Sequence, residues 1–265
     1  EVPWSRKNSG FSLLFEQSAI HLVKLYGTVA KVARQLNIRP QRLWNIVHFY
    51  ASKHEISSVD MSKVKRIGLD ETSQKKGHSY VSCFLDMDTG QLLYIEEEKG
   101  AEVVDKFSQQ AQKQGLNPDQ ITDVSVDMSA AFGAGIERNF SQAKVTYDKF
   151  HVSQLVQKAF DKVRKSIARK AQRRLNKWIF FNDPQSLSSE QATQLDQLLH
   201  EHPILDKAYQ MKNSFKLLWK QPNKEKGSAF LCFWADCIKE LHQKAFYKLA
   251  KTLNKFHQGI IQVFE

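Results

Sequence analysis

From Phe11 to Tyr50 the apolar residues recur at helical spacing. Phe11, Leu14, Phe15, Leu22, Val23 and Tyr26 mark a first helix, which Gly27 stops. Thr28 is placed to cap a second helix carrying Val29, Val32, Ala33 and Leu36. The stretch LNIRP interrupts it, and Pro40 opens a third helix with Leu43, Ile46, Val47 and Tyr50 turned inward. A supporting helix followed by two short helices around a tight turn is the helix-turn-helix plan. Small Ala33 permits close helix approach, and Asn37 tolerates the left-handed conformation that such a turn needs. Gln41, Arg42, Asn45 and His48 fall on the outer face of the third helix, within reach of base edges or phosphates. A plain three-helix bundle is the alternative reading of this segment.

Between Val64 and Tyr147 the period shortens towards two. VKRIGLD, SYVSCFLDMD and QLLYIEEE read as strands, with Asp86 to Gly90 as the hairpin turn between the second and third. Ala101 to Gly115 reads as an amphipathic helix, ITDVSVD as a fourth strand, Ser129 to Phe140 as a helix and AKVTYD as a fifth strand. The order βββαβαβ predicts a mixed sheet carrying helices. From Lys158 onward the pattern is helical again. In the stretch 158–178, Phe160, Val163, Ile167, Ala171, Leu175 and Trp178 form the expected buried stripe. Lys165, Arg169, Arg173 and Lys177 recur every fourth residue on another face.

That basic row changes the picture, because 158–178 holds nine Lys or Arg and one acid. With almost no acids to pair with, such a row suits a phosphate backbone, although a solvated helix face is the simpler alternative. The whole chain of 265 residues carries a formal charge of +11, which points the same way, towards a polyanionic partner. Three cysteines make no disulfide framework and suggest reduced thiols in a cytoplasm-like compartment. The longest apolar run, Ala229 to Ala235, is too short to cross a bilayer, so no membrane partner is expected. The chain opens on Glu1 rather than Met, which suggests a piece of something longer. It contains no Walker motif, dinucleotide-binding glycine fingerprint, HExxH or nucleophile elbow.

The chemistry concentrates at the strand ends. The first strand is expected to finish on Asp70 and Glu71, and the fourth on Asp127. A helical crossover can set the fourth strand parallel to the first and beside it, placing both aspartates at carboxyl ends, where open α/β sheets build their sites. Carboxylates so close repel unless one is protonated or a cation lies between them. A Mg²⁺ site answers this, with Mn²⁺ as substitute, and metal ions clamp the attacking and leaving oxygens of an in-line phosphoryl displacement. Ordinary strand-end capping is the alternative for either aspartate alone.

Several blocks together resemble a known family. VPWSRKNSGFSLLFEQ, VAKVARQLNIRPQRLWNIV, IGLDETSQKKGHSYVSCFLDMDTGQLL, VSVDMSAAFGAGI, VTYDKFHV and AKTLNKFHQGI are similar, in order and spacing, to the ISL-three-type insertion-sequence DDE transposases. The resemblance implies a ribonuclease-H-like core, Mg²⁺-dependent cutting and joining of DNA ends, and a helix-turn-helix that recognises terminal inverted repeats. By position, Asp70 matches the first catalytic acid and Asp127 the second, while Asp148 and His151, like Glu71, are expected to support the site. The family's cysteine-rich zinc segment has no counterpart here. Its third acid follows an Asn-Gly block that this chain lacks, so it is expected beyond Glu265, with Glu240 as the in-chain candidate.

The expected architecture is therefore α/β. Residues 1–55 form a helix-turn-helix domain, 60–160 a ribonuclease-H-like core with the first two acids, and 161–265 a basic helical region. The expected function is a DNA transposase fragment, inactive without its third acid. It would act as a homodimer on terminal-repeat and target DNA in a bacterial cytoplasm, associated with the nucleoid. A catalytically silent helix-turn-helix regulator and a ribonuclease-H-like nuclease without strand transfer are the alternatives.

Overall fold

The computed structural model describes residues 3–7, 9–51, 60–73, 80–98 and 100–264. The chain divides into two compact units, Glu1–Val59 and Asp60–Glu265. Glu265 lies outside the described residues.

The first unit holds α1 (Leu13–Tyr26), α2 (Val29–Gln35) and α3 (Pro40–Ala51). Ser12 caps α1 by accepting from the Phe15 N–H, and Gly27 ends it at φ 67°, a left-handed conformation that only glycine adopts freely. Asn37 takes φ 54° in the turn between α2 and α3, as its side chain allows. Ala19, Val29, Val32, Ala33, Leu43 and Ile46 close the core. Several details depart from the sequence pattern, since Phe11 precedes α1 and Tyr26 is exposed. Leu14 is 74% exposed, because the helical period that buries Ala19 turns Leu14 outward. Thr28 makes no side-chain cap; its hydroxyl donates instead to the Tyr26 carbonyl. Leu36 ends α2 as its C-cap rather than extending it.

The second unit opens with β1 (Arg66–Ser73), β2 (Tyr80–Asp86) and β3 (Leu92–Glu96). The turn between β2 and β3 is fixed by the buried Asp86 carboxylate, which accepts from the Asp88 N–H and the Thr89 hydroxyl. Then follow α4 (Ala101–Lys113), β4 (Asp123–Val126), α5 (Ala130–Asn139) and β5 (Lys144–Tyr147). The five strands form one mixed sheet in the order β3-β2-β1-β4-β5. β1 pairs antiparallel with β2 and parallel with β4, and β4 pairs parallel with β5. Alternation puts Ile67, Leu69, Phe84, Val124 and Val126 on one buried face. Phe84 stacks there on Phe107 of α4, with ring centroids 4.1 Å apart. Gly68 and Asp70 consequently share the other face.

The helical remainder comprises α6 (Lys149–Lys170), α7 (Lys177–Phe181), α8 (Ser189–Glu201), α9 (Pro203–Ser214), α10 (Lys224–Lys239), α11 (Lys244–Lys255) and α12 (His257–Ile261). Its core gathers around Phe160, Phe180, Leu205, Trp234, Phe246 and Leu253. α6 passes unbroken through 160–161, where the basic helical region was expected to begin as a separate domain. The helix also stops at Lys170, with Gln172 in a left-handed conformation, so the expected stripe to Trp178 is divided. Trp178 is 63% exposed, and Ile179 and Phe180 take the buried positions instead. α12 brings the chain back to the sheet: Gly259 lies against Tyr147 of β5 so closely that a methyl group there would meet the ring. Among the described residues, no helix is long and apolar enough to cross a membrane.

Candidate metal centre

The β1–β4 register builds the site. Leu69 is the partner of Val126, so the next residues along two parallel strands are Asp70 and Asp127. Asp127 immediately follows the last paired residue of β4, whereas β1 continues to Ser73, three residues beyond Asp70. The first acid is thus set within a strand rather than at its end.

The third member comes from α6. Asp148 caps that helix, accepting from the Phe150 N–H at 2.8 Å, while its own N–H donates to the Val126 carbonyl at 3.3 Å. The chain therefore leaves β5 and enters α6 beside the end of β4. This brings His151, in the first helical turn, against Asp127, and its Nδ1 is paired with an Asp127 carboxylate oxygen. One ligand atom from each of Asp70, Asp127 and His151 lies within 4.8 Å of the others. Asp70 is exposed, and Asp127 and His151 are half-buried, so solvent can reach the group. Cys83 sits opposite Asp70 in the β1–β2 ladder. Burial pushes its thiol up from the usual range, and the Asp70 charge adds to the effect.

The donor set fits a hard divalent cation. Two carboxylates supply oxygens, and the imidazole nitrogen directed at Asp127 can hold that carboxylate in place. Glu71, expected to support the site, is not part of the group, since it follows Asp70 in the strand and faces the other side of the sheet. Glu240, the C-cap of α10, is likewise not brought to it.

In the first unit Gln41, Arg42 and Asn45 are all exposed on α3. Gln41 donates to the Asn45 side-chain oxygen at 3.2 Å, and Arg42 lies over the Phe11 ring at 4.2 Å. Each is therefore engaged locally. The sequence reading missed what holds these helices together beneath them. Glu16, fully buried, accepts from Arg6 at 3.0 Å, from Tyr50 at 2.9 Å and from Ser9. Burial alone would raise its carboxyl; the three donors and the Arg6 charge together bring it below the ordinary range. The available signal was an acid beside Phe15 in an apolar helix face.

The basic row does not form one stripe. Lys165 and Arg169 lie on α6, Arg173 follows the helix end, and Lys177 begins α7. Lys165 pairs with Asp161 at 2.8 Å and Arg173 with Glu201 at 3.4 Å. Lys177 lies over the rings of Trp178 and Phe181 at 5.3 and 5.0 Å. Arg169 is exposed and has no ion-pair partner among the described residues.

Comparison with known proteins places the chain among transposases. A family model described as "Transposase" matches residues 67–265, and one described as "Helix-turn-helix domain of transposase family ISL3" matches residues 1–51. Among curated proteins, the transposase for insertion sequence element IS1001 of Bordetella parapertussis is 26% identical, over 76% of this chain and 52% of that protein. The transposase for insertion sequence element IS1557 of Mycobacterium tuberculosis is 23% identical, over 98% of this chain and 64% of that protein. The chain thus spans between half and two thirds of the length of these relatives.

Proposed function

The chain belongs to the ISL3 family of transposases, and from that premise we propose that it binds insertion-sequence ends and takes part in metal-dependent DNA cleavage and strand transfer at Asp70 and Asp127. The observation that carries the reading is the group of Asp70, Asp127 and His151, held together by the parallel β1–β4 register and the capped start of α6. The strand order, with two parallel strands beside an antiparallel meander, supports a ribonuclease-H-like core.

Asp70 and Asp127 are the residues that would hold Mg²⁺, or Mn²⁺ in its place, through carboxylate oxygens. A bound ion would supply charge neutralisation for the oxygens of an in-line phosphoryl displacement. His151 acts through Asp127: paired at Nδ1, it fixes the carboxylate's orientation and is a positioning residue. Asp148 orients the helix that carries His151. Exposure of Asp70 leaves one side of the group accessible to a duplex end.

Gln41, Arg42 and Asn45 present donors and acceptors for reading the terminal repeats. Arg42 must leave Phe11 to do so. Lys165, Arg169, Arg173 and Lys177 contribute contacts to the backbone of terminal and target DNA. Joining two element ends calls for two catalytic chains, so the reading includes a homodimer on DNA in a bacterial cytoplasm.

The test is Mn²⁺ titration followed by calorimetry, with strand joining on terminal-repeat oligonucleotides as a second readout in a chain extended through the expected third acid. Asp70→Asn and Asp127→Asn should each weaken Mn²⁺ binding at least tenfold while the fold persists. Equal Mn²⁺ affinity in the wild type and the double variant would refute the metal centre. Cleavage without joining would favour a nuclease, and DNA binding with neither would favour a regulator.

A further inference from the structure

One face of α6, starting at Phe150 beside His151, and the short helix α7 line an open groove of about 420 Å³. Phe150 stands at one end, Lys158 and Lys162 line its length, and Lys177 and Phe181 form the far wall, with Gln154 between. Phe150 is 63% exposed, although it directly precedes His151 and its ring centroid lies 5.7 Å from the imidazole. Most of the ring is thus presented to solvent in the first turn of the helix that starts at the site. Lys158 and Lys162 have no ion-pair partners among the described residues. Asp161, the acid in the groove, is engaged by Arg164 and Lys165 at 2.6 and 2.8 Å, so it does not cancel their charge.

We infer that this groove receives a short unpaired segment of the DNA strand that passes the acid group, with one base stacked on Phe150 and the phosphates further along the helix held by Lys158 and Lys162. The groove is lined by α6 on one side and α7 on the other, which suits a single strand rather than a duplex. The chemistry is that of single-strand recognition, in which an aromatic face takes the base and lysines track the backbone. Gln154 can add a hydrogen bond to a base edge without fixing its identity, since an amide donates and accepts. The spacing is suitable as well. Successive nucleotides rise about 3.4 Å along a strand, so the ring beside His151 falls within one or two nucleotides of a phosphate at Asp127. Phe181 is less available for stacking, because Lys177 and Lys212 already lie over its ring at 5.0 and 5.3 Å.

The inference rests on reading the acid group as a DNA-processing site, and the experiment separates the two. Fluorescence anisotropy in EDTA, where no metal contributes, would compare a blunt duplex with the same duplex carrying a three-nucleotide single-stranded extension. 2-Aminopurine in the extension reports the local stacking of its base. The wild type should prefer the extended duplex. Phe150→Ala should lose roughly tenfold or more of its affinity for the extension and leave the blunt duplex unaffected. Phe150→Trp should restore the preference and the 2-aminopurine change, and Lys158→Ala with Lys162→Ala should weaken the extended duplex more than the blunt one. Equal binding of both DNAs, or equal losses on both for Phe150→Ala, would overturn the groove and leave the DNA-processing reading standing. Failure to bind any DNA would overturn both.

Discussion

Replacing Gly259 with alanine should disturb the second unit at the point where its helices return to the sheet. The new methyl group would meet the Tyr147 ring, 2.6 Å from Cδ2, and lie 3.1 Å from the Val145 carbonyl oxygen. Contacts between carbon atoms are comfortable at about 3.5–4.0 Å, so the overlap with the ring approaches 1 Å. The ring can swing, but the carbonyl belongs to β5 and cannot yield without moving the strand. Overpacking of this kind costs about 1–3 kcal/mol, and alanine's better helix propensity returns at most about 1. A net loss of about 1–2 kcal/mol is expected, which for a unit of this size lowers Tm by roughly 2–8 °C. Thermal unfolding of the full chain, followed by tryptophan fluorescence, measures it. The effect should also reach the metal centre. Tyr147 precedes Asp148, the cap of α6, and α6 carries His151. Mn²⁺ affinity should therefore fall together with stability. In a double-mutant cycle with Tyr147→Leu, removing the ring should relieve most of the alanine's cost. Unchanged Tm in Gly259→Ala, or full additivity with Tyr147→Leu, would refute the argument.

Two further outcomes follow from buried charge. Glu16→Gln keeps the shape but loses the charge that Arg6, Ser9 and Tyr50 surround, and should cost the helix-turn-helix unit about 2–3 kcal/mol in urea unfolding at pH 7. Because the folded carboxyl is held below its ordinary value of 4.5, this stabilisation is present above that pH and lost as pH falls through the lower folded value; a variant with the same acid sensitivity as the wild type would contradict this. Burial, with a smaller effect from the Lys216 charge, pulls Lys212 down from 10.5 to about 8, so its cost in the fold is full below pH 8 and is relieved as pH rises towards 10.5. The wild type should gain about 2 kcal/mol between pH 8 and 9.5, a gain that Lys212→Met should lack; equal pH dependence in both would refute the assignment.

What was legible in the sequence was what local chemistry decides. Gly27 and Asn37 announce left-handed positions, Pro40 announces a helix start, and period-two stretches announce strands, because each restricts the backbone irrespective of its neighbours. The pairing of Asp70 with Asp127 was legible for a related reason: a helical crossover between strands favours parallel neighbours, and parallel register aligns like ends. The unpredicted features arise from contacts distant in sequence. Glu16 is buried only because Tyr50 and Arg6, distant in sequence, fold over it. Arg173 reads as free until α8 supplies Glu201. The division of the 158–178 stripe at Lys170 has no glycine or proline to announce it; the end of α6 is set where α7 must turn Ile179 and Phe180 into the core.

The position of His151 shows how these two levels combine into a site. Its first-turn place in α6 follows from Asp148, a local cap that any reading of the sequence would allow. Its contact with Asp127 depends on β5 lying parallel beside β4, which makes the Asp148 N–H donate to Val126 one residue before the acid. A cap that shifted α6 by a single residue would rotate the histidine by about 100° around the helix axis and away from the carboxylate. The local preference of one aspartate and the register of two strand pairs therefore fix the same geometry independently, and the exposed Phe150 is presented beside the acids by that same turn of helix.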